Sequence, residues 1–192
     1  MSAPERPLNV QPGFTIRPAV VADAASIAHA HLETWKAQFI PHMRPEHVAR
    51  KNLDPIPETE RWQRCLTNEP GRLTFVAERA GQVVGFTAGG AAQGESYGYE
   101  AELYQIYVLP AAQSEGIGHA LVGALTLGLI SVGFRRMIVW VVTFNPAVAF
   151  YRDRLRGVYV AQRPVPEVDN AFQEDGYGWS DLPTLVTRIQ TR

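Results

Sequence analysis

Gly116 and Gly118 stand one residue apart, directly after Gln113-Ser114-Glu115 and at the start of a run with helical spacing. Glycine at a helix start lets a ligand approach the bare backbone N–H groups. Those groups have no backbone partner, and the helix dipole favours an anion beside them. The chemistry implied is capture of a phosphate-sized anion. Two familiar glycine patterns are absent, because the sequence carries neither G-x-G-x-x-G nor G-x-x-x-x-G-K-[ST] here. The pattern present is Q-x-x-G-x-G.

Upstream, Glu100 and Glu102 lie two residues apart, on one side of an extended chain. A carboxylate pair in that arrangement favours a cationic partner. His29, His31 and His42 have no carboxylate or cysteine pattern that would make them metal ligands, and they read as solvated or core histidines. The single Cys65 excludes an internal disulfide and reads as a small buried hydrophobe on a helix. No metal site is expected.

The elements that must position these groups follow from the spacing of apolar residues. Glu102 to Val108 is rich in β-branched and aromatic residues and reads as a strand. Leu109-Pro110-Ala111-Ala112 breaks it, since proline has no N–H for a sheet. Ile117, Leu121, Ala124 and Leu125 then form the apolar side of a helix that Gly133 stops. Before this centre, Phe14 to Pro18 predicts a first strand, and Asp23 is placed to cap a helix with Ala28, Leu32, Trp35 and Phe39 inward. A short helix from Pro45 to about Leu53 follows. Pro55 and Pro57 interrupt, and Glu58 to Thr67 resumes as helix with Trp62, Cys65 and Leu66 inward. Leu73 to Glu78 and Gln82 to Thr87 predict a hairpin across Arg79-Ala80-Gly81. Gly89 to Gly98 reads as a small polar loop.

After the glycine-opened helix, Arg136 to Val142 is almost unbroken apolar sequence, which suits a strand covered on both faces. Asn145-Pro146 caps and starts a helix that Gly157 ends. Val158 to Gln162 is a further strand, Pro164 to Asn170 a polar loop, and Ala171 to Trp179 the last strand. Ser180 or Asp181 caps a final helix in which Leu182, Leu185, Val186 and Ile189 share a face.

With 192 residues the chain suits one domain with a sizeable core, read as residues 14–192 behind a flexible lead-in of residues 1–13. The net charge of -1 argues against a nucleic-acid surface. The N-terminus carries no apolar run of the kind that makes a signal peptide or membrane span, so a cytoplasmic location is expected.

The Q-x-x-G-x-G motif, following a strand that ends Val108-Leu109-Pro110, resembles the acetyl-CoA motif of the GNAT superfamily of N-acetyltransferases. The element order resembles that superfamily over nearly the whole chain from Phe14. The first helical pair and the terminal YGWSDL segment resemble its bacterial small-substrate branch. The resemblance implies an α/β (α+β) fold: a mixed, mostly antiparallel sheet flanked by helices, with acetyl-CoA at the splayed fourth and fifth strands, counted from Phe14.

It also implies roles. Backbone groups of Ile106, Tyr107 and Val108 would bond the pantetheine arm. The pyrophosphate would lie on the N–H groups of Gln113, Ser114, Glu115, Gly116, Ile117, Gly118 and His119. Position 113 is Gln where many members have Arg, and Glu115 sets a negative charge beside the phosphate, which His119 partly offsets. Acyl transfer to an amine needs a base for the ammonium proton. Glu102 has the spacing of a family base and Glu100 is its rival. Tyr151 matches the tyrosine that protonates the departing thiolate, or is a core aromatic beside Phe150. Asn145 matches a cofactor contact. The amine site would involve Trp35, Phe39, Glu100 and the Gln93–Tyr99 loop, Tyr99 included, with Trp35 a core residue before it is a substrate wall.

Two functions are consistent with this resemblance. One is transfer of the acetyl group of acetyl-CoA to a primary amine of a small molecule, an amino acid derivative or a peptide terminus. The other is a catalytically silent acyl-CoA-binding sensor or subunit, which would not need Glu102 and Tyr151. A homodimer is compatible with either.

Overall fold

A computed structural model of the chain describes residues 10–11, 13–165 and 172–191. Its strands are β1 (Val10–Gln11), β2 (Phe14–Pro18), β3 (Leu73–Arg79), β4 (Gln82–Ala91), β5 (Ala101–Val108), β6 (Met137–Val142), β7 (Val158–Pro164) and β8 (Gln173–Trp179). Among the described residues they form one sheet in the order β1-β2-β3-β4-β5-β6-β8-β7. Every neighbouring pair is antiparallel except β5 and β6. The fold is therefore the mixed, mostly antiparallel α/β arrangement expected.

Helices cover both faces. On one side, α1 (Ala24–Phe39) and α3 (Pro55–Asn68) lie over a core that includes Ile27, Trp62, Val76 and Phe86. On the other, α4 (Ile117–Ser131) and α6 (Leu182–Gln190) cover Leu103, Met137, Val139 and Trp179. The short α2 (Pro45–Arg50) connects the first pair. The α6 stripe is inward as its spacing requires, with Leu182 and Leu185 almost fully buried.

Several local readings change. Val10–Gln11, inside the segment read as a lead-in, pairs with Phe14 and Thr15. Asp23 does not cap α1 with its side chain; its carboxylate accepts from the Arg17 guanidinium at 2.7 and 2.9 Å and from the Val20 N–H at 2.8 Å. Pro55 and Pro57 do not interrupt a helix but sit at its start, where N–H groups lack intrahelical partners in any case, and Asp54 caps the Ile56 N–H. β4 runs on to Ala91 through Gly89 and Gly90, where the sequence predicts a loop. A Cβ at Gly89 would stand 2.6 Å from the Glu102 carbonyl oxygen, and one at Gly90 would stand 2.6 Å from that of Gly71, so these glycines are small because neighbouring backbone crowds them. The last strand begins at Gln173, and the loop residues 166–170, with Ala171, lie outside the described residues.

The β3–β4 hairpin turns on Ala80 and Gly81, with φ of 50° and 77°, the left-handed pair that a two-residue hairpin demands. At the centre, β5 pairs with β6 only through Ala101, Glu102 and Leu103. On its other edge β5 stays paired with β4 to Val108, across an irregularity opposite Ala88 and Gly89 that leaves Tyr104 out of register. From Tyr104 onward, β5 thus has no strand partner on the β6 side, and the two central strands part.

Candidate active site

The parted strand supplies backbone. Residues 104–108 are half-buried and turn one row of main-chain groups away from β4. Ile106 and Val108 pack toward α4, and Tyr107 packs toward α1 and α3. The strand end is tied down by side chains, because the Val108 carbonyl accepts from Thr34 Oγ1 at 3.2 Å and from Gln113 Nε2 at 2.9 Å. Gln113 therefore fixes the loop to the strand where an arginine would offer charge.

The loop itself is strongly turned. Ser114 and Gly116 both have positive φ, at 66° and 86°. The Ala120 N–H bonds the Gly116 carbonyl, and the N–H groups of Ile117 and Gly118, in the first turn, have no intrahelical acceptor. Gly116 needs glycine for its conformation. Gly118 does not: a Cβ there would meet only the Phe150 ring, at 3.5 and 3.8 Å. The space beside Gly118 is thus open on the protein's own account. Glu115 is exposed, and Arg79 of β3 holds its carboxylate at 2.6 Å. His119 packs edge-on against Phe150, with ring centroids 4.9 Å apart.

The two acidic residues before β5 have different surroundings. Glu100 is half-exposed; its carboxylate accepts from the Arg135 N–H at 2.7 Å and pairs with the Arg136 guanidinium at 3.1 Å. Those contacts hold its pKa below the usual carboxyl value. Glu102 is only 9% exposed and accepts from the Gln93 N–H at 2.9 Å. Burial raises its pKa, opposed by that hydrogen bond and by Arg163, while Glu174 adds to the rise. Of the pair, Glu102 alone combines a buried position with a raised proton affinity, the combination suited to general-base work.

Tyr151 lies in a segment that departs from the expected helix. The turn α5 (Ala147–Ala149) opens into a π turn over Phe150–Arg154, in which the Leu155 N–H reaches the Phe150 carbonyl. Tyr151 is 4% exposed, edge-on to Phe150 and Trp179. Burial, with the nearby Tyr107 phenol, pushes its pKa well above the ordinary value, so the hydroxyl keeps its proton. Asn145 caps this turn, accepting from the Ala147 N–H at 2.9 Å, and reaches Gln38 of α1 at 3.3 Å.

The remaining candidates form two aromatic groups. Trp35 is buried and stacks on Phe39, whose edge meets Phe144. Tyr99 lies on Gly178 of β8, close enough that a Cβ at 178 would be 2.1 Å from the ring.

A family model, the Acetyltransferase (GNAT) family, matches residues 32–157. The curated relative YuaI of Bacillus subtilis, described as an uncharacterized N-acetyltransferase, is 31% identical over 177 residues, spanning 91% of this chain and 98% of that protein. The chain belongs to the GNAT acetyltransferase family. It is accordingly an acyltransferase. Among solved GNAT-like structures, yncA of Salmonella typhimurium, determined with its cofactor acetyl-CoA, superposes with a TM-score of 0.65 at 23% identity, over 88% of this chain and 94% of its own. The PaiA N-acetyltransferase of Thermoplasma acidophilum, determined with coenzyme A, gives 0.63 at 17% identity, over 86% and 99%. At those identities the likeness is one of fold.

Within this GNAT domain, sequence reasoning missed Arg79, Trp140 and Arg163. Trp140 was absorbed into an apolar run. The alternation Gly176-Tyr177-Gly178 in a strand was the one available signal that side chains from elsewhere lie flat on β8.

Proposed function

We propose that the protein is an N-acetyltransferase that moves the acetyl group of acetyl-CoA to a primary amine by direct attack, the acceptor being a small molecule, an amino acid derivative or a peptide terminus. The observation that carries this reading is the parting of β5 from β6 after Leu103, next to the glycine-opened start of α4. The residues fit an acyl-CoA: a strand edge after Leu103 that β6 no longer covers, a glycine-opened helix start at Gly116 for phosphates, and a glycine at 118 that packing does not require. Bound there, acetyl-CoA supplies an acyl group activated as a thioester.

The rest belongs to the chain. Glu102 takes the proton of the incoming ammonium, directly or through water, so that nitrogen attacks with its lone pair free. Tyr151 gives its proton to the departing sulfur, and the second proton, lost by the nitrogen after attack, returns to the Tyr151 phenolate directly or through water. The C–N bond forms and the C–S bond breaks. Glu100 clamps Arg135 and Arg136 and leaves the chemistry to Glu102. Asn145 acts by capping the turn that carries Tyr151.

The test is incubation with acetyl-CoA and an amine library, read as free thiol, beside thermal melts with and without acetyl-CoA. Thiol release that depends on amine supports the reading. Stabilisation with no release from any amine supports a silent acyl-CoA-binding module instead. Absence of both responses overturns the cofactor assignment.

A further inference from the structure

The Glu102 carboxylate is held by a main-chain N–H that lies just past the end of β4. Its Oε2 accepts from the Gln93 N–H at 2.9 Å, which leaves Oε1 with no hydrogen-bond partner among the described residues. Gln93 stands two residues beyond Ala91, the last residue of β4. On one side the turn is tied to the start of β5, because the Ala92 N–H reaches the Glu100 carbonyl at 2.9 Å. On the other side β3 stops short, pairing with β4 only as far as Gly89. A side chain takes the Ala91 carbonyl instead: the Tyr104 hydroxyl donates to it at 2.5 Å. The Gln93 side chain approaches the same hydroxyl.

Two local features let Tyr104 reach that carbonyl. The irregularity in the β4–β5 pairing leaves Tyr104 out of register, so no β4 residue stands opposite it. Gly90, the cross-strand partner of Glu102, has no side chain, and a Cβ there would stand 2.9 Å from the Tyr104 hydroxyl oxygen. The phenol therefore passes over Gly90, beside the base. The Arg72 guanidinium lies 4.9 Å from the Tyr104 ring centroid and pairs with Glu69, at the C-terminal end of α3. The charged groups facing Glu102 from the neighbouring strands are Arg163 of β7 and Glu174 of β8, which pair with each other at 2.5 Å. Those facing Tyr104 are Arg72, Glu69 and Glu102 itself. Among the described residues, Glu102 thus has one hydrogen bond to favour its charged form, and that bond comes from the turn that Tyr104 anchors.

Resting on the reading of Glu102 as the base of an acetyltransferase, we infer that Tyr104 is a positioning residue for that base. Its hydroxyl holds the Ala91 carbonyl, the turn from Ala91 to Gln93 holds the Gln93 N–H on Oε2, and Oε1 is left to take the proton of the acceptor's ammonium. Tyr104 acts through the turn and not on the reacting atoms. A hydrogen bond from a main-chain N–H favours the ionised form of a carboxyl group, so slackening the turn raises the proton affinity of Glu102. The base is then protonated, and idle, over a wider range of acid pH.

The test needs no ligand. The whole protein is isotope-labelled at the glutamate carboxyl carbon, and the Glu102 signal, identified by its loss in Glu102→Gln, is titrated by NMR in the wild type and in Tyr104→Phe. That substitution keeps the ring against Arg72 and removes only the hydroxyl. The expected result is a rise of about one pH unit in the Glu102 midpoint, the scale of one lost hydrogen bond to a charged group. Amide exchange at Gln93 should quicken by about tenfold or more, while Phe86, paired on both sides within β4, keeps its protection. A merely packed aromatic would move neither. An unmoved midpoint in Tyr104→Phe overturns the inference. So does exchange at Gln93 in the wild type as fast as in an open chain, whatever the variant does. Thiol release from acetyl-CoA is a separate arm. With any amine that gives release, the acid limb of kcat/KM should move up by the same amount while the high-pH plateau holds. The midpoint shift with no release from any amine removes the acetyltransferase reading and leaves the anchor standing. Release with an unmoved midpoint overturns the anchor alone.

Discussion

Arg79 Nη1 lies 2.6 Å from the Glu115 carboxylate, joining β3 to the glycine loop across 36 residues of sequence. Glu115 alone would set a negative charge beside N–H groups suited to phosphate. The ion pair cancels that charge and turns the carboxylate aside. Because both side chains are part-exposed, the coupling is modest. Arg79→Ala should weaken acetyl-CoA binding by up to about fivefold at low salt, the equivalent of about 1 kcal/mol. The effect should fade as salt rises, and adding Glu115→Gln should restore affinity. Titration calorimetry at two ionic strengths decides it. Unchanged affinity at low salt would mean that Glu115 does not reach the anion site.

Glu102 yields a prediction of activity and one of stability. Loss of the base in Glu102→Gln should lower turnover by about 10²–10⁴-fold, most of all at the acid end, where the amine needs most help losing its proton. Burial raises the Glu102 pKa above its ordinary 4.5, so the folded state holds this proton more tightly than the unfolded chain. Its contribution to stability is complete below pH 4.5 and is lost as pH rises through the higher folded value. Glu102→Gln cannot ionise, and its amide oxygen can still accept the Gln93 N–H. It should melt above wild type at neutral pH, with the difference closing in acid. Were Glu100→Gln inactive and Glu102→Gln active, the base would be the other carboxylate.

The opposite sign applies to Glu58. Its Oε1 accepts from His31 Nδ1 at 2.6 Å and from Trp62 Nε1 at 3.0 Å, and its Oε2 accepts from Arg61 Nε at 3.0 Å. Burial works against the charge, but the hydrogen bonds from His31 and Arg61 outweigh it and hold the carboxyl far below its usual value of 4.5. This stability is present above pH 4.5 and lost as pH falls toward the depressed folded value. Glu58→Gln should destabilise the fold by about 3 kcal/mol at neutral pH, the scale of breaking a buried pair. Urea melts at pH 7 and in acid should show the gap narrowing. His31 also packs on Tyr107, with ring centroids 4.7 Å apart, so the variant reports on the support beneath the cofactor strand.

What was legible in the sequence was whatever neighbouring residues decide. The α6 stripe, the β3–β4 turn and the glycine opening of α4 follow from local spacing and conformation, and each stands where its pattern placed it. What was hidden depends on residues far apart in the chain. Asp23 looked like a cap because nothing nearby revealed that Arg17 would claim it. Gly89 and Gly90 looked like loop because their crowding comes from the backbone of Glu102 and Gly71. The split between Glu100 and Glu102 is likewise tertiary: one meets Arg135 and Arg136 at the surface, and the other is buried against the Gln93 backbone.

Tyr151 separates a transferase from a silent acyl-CoA binder most directly. Its ring is held by Phe150 and Trp179, and its backbone carbonyl accepts from the Gly157 N–H at 2.9 Å. None of these contacts involves the hydroxyl, so Tyr151→Phe should keep the packing and the π turn. The high proton affinity that burial confers leaves the phenol neutral across the working pH range, ready to donate when a thiolate forms. A donor used only at that moment stabilises the transition state and not the bound ground state. Its removal should therefore lower kcat and kcat/KM together while leaving acetyl-CoA affinity unchanged. A thiolate leaves fairly well unaided, so the expected loss is moderate, on the order of a hundredfold. Steady-state kinetics with an amine from the screen, beside cofactor titration, makes the measurement. Full turnover in Tyr151→Phe would leave the residue as a packed aromatic and assign the sulfur's proton to water.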